Sequence, residues 1–359
     1  MESPAQKNHL FIINPKSFDS SGQMESFISA TRQIFDRKGL PRPFFQISKF
    51  PRESIASVRQ FKNLNPSAPT RVYAVGGDGI LFDCLNGIVD LDGVELASVP
   101  YGKSNDFIRA FGEKKMDFFR DIGLQATSPV IKTDIMKCGS IYGLNTCTLG
   151  LEAYAIHSSA SLNESMKGLK AHLPVHIRNV LYDFNFFLGG ALSATNGLVN
   201  TQYYQVSMDG KDFSGHYCTI NVGNGPCYGG NKMAAVHAEP DDGLLDVILF
   251  KSLSVIRTIR IAMEYVKGKY YKFPDYLTYY RAKEITVSSE VPIVIQVDGE
   301  VFVDTSFTVK VMAGAVNFVS PGGLPYHLRL EYCGVPYEPE KLNSSDITPA
   351  DNFDTNKSP

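Results

Sequence analysis

The sequence predicts an α/β domain with a mostly parallel sheet, followed by an antiparallel β-sandwich. Three observations carry this. Up to about residue 130, short apolar strands alternate with stretches of helical periodicity, the pattern of a parallel sheet covered by helices on both faces. Beyond that point strand-like segments follow one another, most of them separated by turn residues. The chain has 359 residues, 43% of them hydrophobic, which is enough apolar material for two cores.

The elements of the first part can be justified in order. Leu10 to Ile13 is an apolar strand that ends in Asn14-Pro15-Lys16-Ser17. A helix is expected from Met24 to Lys38, with Phe27, Ile28, Ile34 and Phe35 on one side. Phe44 to Ile47 reads as a second strand and Ile55 to Phe61 as a second helix. The apolar run Val72 to Val75 is a buried strand, stopped by Gly76-Gly77-Asp78-Gly79. Ile80, Leu81, Cys84, Leu85, Ile88 and Val89 then recur at helical spacing. Leu96 to Val99 is a fourth strand, leading through Gly102-Lys103-Ser104-Asn105-Asp106 into a further helix. All three turns lie at carboxyl ends of strands, where open α/β sheets bind ligands.

In the second part, Val130 to Cys138, Ser140 to Leu149, Gln202 to Met208, Tyr217 to Val222, Leu244 to Phe250, Glu284 to Val287, Pro292 to Val297 and Phe307 to Val311 are strand-like. Helical stretches around Asn163 to Leu192 and Leu253 to Val266 interrupt them. The expected organisation is an α/β domain over 1–130, a sandwich over 131–319, a segment 320–337 available to complete the first domain, and a polar, disordered tail over 338–359.

Composition narrows the class. A formal net charge of -2 gives no bulk attraction to nucleic acid or to an anionic membrane, so membrane contact requires a local patch. The six cysteines form no C-x-x-C pair and no zinc spacing, as in reduced thiols of a cytoplasmic protein. The N-terminus has no hydrophobic signal core, and no apolar run approaches the roughly 20 residues of a transmembrane segment.

The glycine turn at 76–79 presents bare backbone N–H groups and the positive end of a helix dipole, which suits a phosphate. Asp78 within it repels a phosphate unless a metal intervenes or the carboxylate takes a proton, so the combination suggests phosphoryl transfer. A turn that merely caps a helix is the competing reading. Lys103 is a point charge within reach of a phosphate, while Asn105 or Asp106 would cap the next helix. Asn14 and Ser17 would add an amide and a hydroxyl to the same pocket, if their turn is more than a turn. Glu239 to Asp246 gathers four carboxylates in eight positions, suited to a hard cation or to a plain Asp-Gly turn. Ile293 to Val303 is a hairpin whose turn is flanked by Asp298 and Glu300; a glutamate aimed into a cleft would serve as a general base. The stretch Leu253 to Lys272 carries an apolar side and five basic residues, and is either a membrane-surface helix or a solvated cover on a core.

The order of these motifs resembles the diacylglycerol kinase catalytic-domain family, which includes sphingosine, ceramide and bacterial lipid kinases. The matching series is Asn14-Pro15-x-Ser17, Gly76-Gly-Asp-Gly79, Pro100-x-Gly102-x-x-Asn105-Asp106-Phe107, Asn224-Gly225 with Gly229-Gly230, Asp242-Gly-Leu-Leu-Asp246 and Asp298-Gly-Glu300. The resemblance implies an NAD-kinase-like, three-layer nucleotide domain, a lipid-binding sandwich, and an active site in the cleft between them. It implies ATP-dependent phosphorylation of a diacylglycerol- or sphingosine-like lipid at the membrane surface, with magnesium; the oligomeric state, a homodimer among the options, stays open. Carried over by position, Asn14, Ser17 and Ser48 approach the nucleotide, and Gly76, Gly77, Gly79, Gly102, Lys103, Asn105 and Asp106 complete that site. Glu300 is the proton acceptor on the bacterial pattern, Asp78 on the sphingosine kinase pattern. Asp242, with the carbonyls of Glu239 and Leu244, would hold a structural magnesium. The sequence departs from the family at Ile80, where threonine is usual, at Lys103, also usually threonine, and at Phe18, usually glycine. Two other readings stay open: an NAD kinase-like enzyme sharing the glycine turn, and a degenerate protein that binds lipid or nucleotide without turnover.

Overall fold

The computed structural model describes residues 7–112, 115–154, 202–230 and 232–326. The helical stretch expected around 163–192 and the tail 338–359 lie outside the described residues.

The first part alternates as its sequence predicts: β1 (Asn8–Ile13), α1 (Ser21–Arg37), β2 (Phe44–Ile47), α2 (Glu53–Leu64), β3 (Thr70–Gly76), α3 (Asp78–Ile88) and β4 (Val94–Pro100). Strands pair in parallel in the order β2-β1-β3-β4. Successive side chains of a strand face opposite ways, and the two faces feed two cores. Leu10, Ile12, Val72 and Ala74 pack with Val58 of α2 and Leu81 and Leu85 of α3. Phe11, Ile13, Tyr73 and Val75 pack with Phe35 of α1. That is the three-layer arrangement. The helix expected after Asp106 is a 3-10 turn, Phe107–Phe111, succeeded by two short helices, α4 (Met116–Arg120) and α5 (Ile122–Thr127). Phe107 and Phe111 are both pinned edge-on by packing, Phe107 against Phe318 with centroids 5.0 Å apart and Phe111 against Phe119 at 4.9 Å.

The second part is antiparallel: β5 (Val130–Cys138), β6 (Ile141–Gly143), β7 (Thr146–Gly150), β8 (Tyr203–Met208), β9 (Lys211–Asp212), β10 (Gly215–Gly223) and β11 (Leu245–Lys251). After helix α6 (Val255–Tyr265) come β12 (Leu277–Ala282), β13 (Glu284–Val297) and β14 (Glu300–Val319). Met136, Leu149, Val206, Val222, Val247, Ile285, Ile295 and Val309 interlock in one buried cluster, the filling of a sandwich.

Three details differ from the sequence reading. The single strand expected over 140–149 breaks into β6 and β7, because Leu144 and Asn145 turn their N–H groups to the Asp298 carboxylate. The two strands expected over 284–297 are one, β13, whose ladder with β14 skips between Ser288 and Ile293, around Pro292. β12 has no counterpart among the strands expected from sequence.

β14 is the long element, 20 residues. Its first part forms the hairpin with β13, and its last part pairs antiparallel with β5 and parallel with β4 through Asn317 and Phe318. One strand therefore belongs to both halves, and the sheet runs unbroken from β12 to β2.

Candidate active site

Three loops meet at the carboxyl ends of β1, β3 and β4. Their convergence depends on glycines. Gly76 has φ +154°, and a Cβ there would lie 2.8 Å from Ile80 Cγ2 and 3.0 Å from Ser17 Oγ. Gly102 and Gly77 touch backbone to backbone, so that a Cβ on Gly102 would overlap the Gly77 Cα. The carbonyl of Gly76 accepts from Tyr101 N–H at 2.8 Å and from Gly102 N–H at 3.1 Å. Asn14 N–H donates to Val75 O at 3.0 Å, and the Asn14 side chain accepts from Lys16 N–H at 3.0 Å. Asn105, at φ +50°, braces its loop, accepting from Gly102 N–H at 3.2 Å and donating to Gly102 O at 2.8 Å. Asn14, Ser17, Gly76, Gly77, Gly102 and Asn105 are thus brought together; Gly79 follows on the first turn of α3, with open space at its Cα.

The other expected residues divide. Ser48 stands beside the end of β1, where its N–H donates to Ile13 O at 2.8 Å, but its hydroxyl is engaged by Ser54 at 2.9 Å. Lys103 is exposed. Phe18 turns into the core beneath α1, stacked on Tyr101 with centroids 4.9 Å apart, so the ring that replaces the family's glycine is absorbed by packing. Ile80 is buried in the other core.

Below the loops lies a cavity of about 240 Å³ between the two halves, lined by Asp78, Phe82, Asp106, Asn145, Tyr228 and Asp298 among others. Three carboxyl groups face this one space, Asp106 buried and Asp78 and Asp298 half-buried. Asp78, at the N-terminus of α3, accepts from Asp106 N–H at 2.7 Å. Burial and the neighbouring Asp106 carboxylate push its carboxyl up to about 7. Asp106 accepts from Gly230 N–H at 2.8 Å, and burial raises its carboxyl also. Asp298 accepts from Leu144, Asn145 and Thr146 N–H at 2.5, 3.1 and 2.8 Å. Burial still pushes it up to about 6 against those bonds. Among the described residues no ion pair reaches any of the three.

Glu300 does not line this cavity. Its carboxylate pairs with Arg52 at 2.8 Å, and the Arg52 guanidinium lies over the ring of Phe82, 5.8 Å from its centroid. Glu300 is therefore one contact removed from the cavity wall, on the same side as Asp78. The hairpin turn explains the difference. Asp298 and Gly299 both have positive φ, a two-residue turn. It sends Asp298 inward to the β6–β7 loop and leaves Glu300 at the start of β14.

Residues that sequence reasoning missed include Asp298 as a cavity wall, together with Asn145 and Tyr228. The hydrogen-bond partners of Asp298 lie more than 150 positions away, so no local spacing announces them. Asn224 and Gly230, noted only within the family series, have structural tasks. Asn224 Nδ2 donates to Asp134 O at 2.9 Å and Leu144 O at 2.7 Å, while Gly230 holds Asp106.

Two places in the structure gather oxygen donors of the kind a hard cation takes. No group of three His, Cys, Asp or Glu side chains stands close enough to hold an ion by itself among the described residues. The Asp78–Asp106–Asp298 cavity nonetheless suits magnesium of the kind completed by substrate phosphates, which needs only one or two carboxylates. At the second position, Asp242 accepts from Leu244 N–H at 3.0 Å and pairs with Arg281, which also approaches the buried Asp246 at 3.7 Å. A guanidinium there supplies the positive charge expected of an ion.

Comparison with known proteins bears on the family and the fold. A model described as the diacylglycerol kinase catalytic domain matches residues 8–138, and one described as the YegS C-terminal NAD kinase beta sandwich-like domain matches residues 177–320. "Putative lipid kinase YtlR" of Bacillus subtilis (strain 168) is 26% identical over 305 residues, 83% of this chain and 94% of that protein. "Putative lipid kinase SH2167" of Staphylococcus haemolyticus is 24% identical over 279 residues, 77% of this chain and 84% of that protein. A crystal structure described as a diacylglycerol kinase from Bacillus anthracis str. Sterne superposes with a TM-score of 0.62 at 18% identity, covering 88% of this chain and 98% of the other. At that identity the likeness establishes the fold.

Proposed function

The chain belongs to the diacylglycerol kinase catalytic-domain family, and from that premise we propose that it transfers the γ-phosphoryl group of ATP to the hydroxyl of a diacylglycerol- or sphingosine-like lipid. The observation that carries this reading is the shared cavity. Asp78 and Asp106, carried by the glycine-bearing loops at the strand ends, line one side, and the sandwich supplies a wall with Asp298 on the other.

The residues of the chain divide the work. Gly77 and Gly79, at the N-terminus of α3, offer backbone N–H groups to phosphate oxygens, helped by the helix dipole, while Gly102 packs against Gly77 and holds the loop in place. Asp78 takes the proton of the lipid hydroxyl. A carboxyl held up to about 7 is suited to that transfer near neutrality. The O–H bond of the lipid breaks as its oxygen bonds to the γ-phosphorus, and the bond from that phosphorus to the β–γ bridging oxygen breaks, leaving ADP. Asp106 positions Asp78 through its N–H, and Gly230 fixes Asp106 in turn. Asp298 ties the β6–β7 loop to the β13–β14 hairpin and so shapes the lipid side.

Magnesium bound to ATP phosphates would neutralise charge on the transferring group, with Asp106 and Asp298 as the protein's ligands. A structural ion at Asp242 with the Glu239 and Leu244 carbonyls would compete with Arg281. Glu300, paired with Arg52, is placed to orient that arginine rather than to reach the hydroxyl.

The test is incubation with radiolabelled ATP, magnesium and mixed-lipid vesicles, followed by lipid extraction. Label in phosphatidic acid or a sphingoid phosphate is the expected result. Label in none of diacylglycerol, sphingosine or phosphatidylglycerol removes the assignment. Formation of NADP from NAD in the same preparation would favour the nicotinamide reading instead.

A further inference from the structure

Helix α6 lies on the outer face of β10, β11 and β12. Thr258, Ile261 and Tyr265 are its buried residues, and Ile261 and Tyr265 pack with Ile248, Phe250, Leu277 and Tyr279. With 3.6 residues per turn, Ile256, Ile259 and Met263 fall on the opposite side. They are 83%, 42% and 45% exposed. Three large apolar side chains aligned in solvent along one helix form a stripe, not scattered single exposures.

The surroundings of the stripe are basic. Arg257 and Arg260 flank it, both exposed, and make no ion pair among the described residues. Lys267 and Lys272 follow, each sharing Glu264, at 3.4 and 2.8 Å. From 255 to 275 the sequence carries five basic residues against two acidic ones, although the whole chain has a net charge of -2. Tyr271, 45% exposed, extends the stripe beyond the helix. An amphipathic helix with an apolar stripe and basic flanks fits the interface of an anionic bilayer.

We propose that this face of α6, with Tyr271, docks the protein on an anionic lipid surface. The position is apt. Tyr228 lines the cavity and packs in the same cluster as Ile261 and Tyr265, so the docked helix stands one side-chain layer from the acidic cavity. The choice of a bilayer over a protein partner rests on the lipid-kinase reading, together with the sign of the charge.

The test uses the full chain and sedimentation with phosphatidylglycerol–phosphatidylcholine vesicles. Wild type is expected to sediment with them, less so with pure phosphatidylcholine or at high salt. Ile256→Glu combined with Met263→Glu is expected to weaken binding about tenfold or more, and Arg257→Glu with Arg260→Glu likewise, each with an unchanged melting curve. Both pairs are expected to phosphorylate lipid in detergent micelles at the wild-type rate. Vesicle binding equal to wild type in both pairs overturns the proposal, as does a wild-type protein that ignores anionic vesicles. A wild-type dimer that these substitutions dissociate, with vesicle binding intact, assigns the face to self-association and overturns it too. Docking lost by these changes in a protein that phosphorylates no lipid would leave the docking face standing and remove the kinase reading.

Discussion

Asp78 stands where burial, a like charge and a helix N-terminus meet, and their opposition sets its behaviour. Burial and Asp106 favour the protonated form, while the backbone N–H groups of Asp106 and Phe107 favour the anion. Asp78→Asn is expected to lower turnover by about 10²- to 10⁴-fold, the usual contribution of a positioned base, measured as initial rate of lipid phosphorylation. The same change has a signature in stability. The folded carboxyl is raised from 3.8 to about 7, so the native state holds its proton between those values while the unfolded state has released it. Stability from this group is full below the unfolded value and is lost as pH rises through about 7. Asp78→Asn should therefore melt higher than wild type at pH 8 and not at pH 4, in parallel thermal scans. Wild-type activity should rise with pH through the same region. Glu300→Gln removes an exposed pair with Arg52, so stability should change by less than about 1 kcal/mol. Turnover should fall far less than with Asp78→Asn, and the reverse order in the same assay would move the base to Glu300.

Among elements, the turn before β11 shows how charge is settled locally. Arg281 of β12 serves both Asp242 and the fully buried Asp246. Arg281→Gln leaves a buried carboxylate without its cation, and a loss of about 3 kcal/mol is expected in urea titration. Magnesium that restores part of that stability would show that Asp242 can seat an ion. The same region shows what sequence makes visible. β1 to β4 were legible because each apolar run ends at glycine or another turn residue, and because Ile80, Leu81, Cys84, Leu85 and Ile88 mark the next helix. The glycine turn and the Asn105-Asp106 loop were legible for the same reason. β12, Leu-Thr-Tyr-Tyr-Arg-Ala, was not, since its tyrosines and Arg281 hide a strand whose buried residues are Leu277, Tyr279 and Ala282. Asp298 was legible as a turn residue but not as a cavity wall. That placement depends on where the β6–β7 loop arrives, which only the assembled sheet decides. Glu300 illustrates the converse: a good motif position whose side chain the turn leaves beside Arg52.

For the whole molecule, continuity of the sheet matters more than the division into halves. β14 pairs with β13 and β5 on the sandwich side and ends beside β4. The Asp134 carboxylate binds Gly314 N–H of β14 and Gly243 N–H, each at 2.6 Å, while its carbonyl receives Asn224. The two cores share a strand and a buried hub. A single cooperative transition is expected in calorimetry, with calorimetric and van't Hoff enthalpies in agreement. Two resolved transitions would show that the strand does not couple them.

The shared strand also acts as a ruler with parity. Its ladder with β5 slips between Met312 and Val316, at Gly314, just before it reaches β4. Side chains alternate by one, so removing a single residue there turns over everything beyond it. Phe318, sealed against Phe107, would be turned to the face that Val319 now fills, and Asn317 would be driven into the core that Phe318 leaves. Deletion of Ala315 should therefore cost far more than any substitution at that position. Length here is counted in whole pleats: Val316 and Phe318 fill one core and Val319 the other only while that parity is kept.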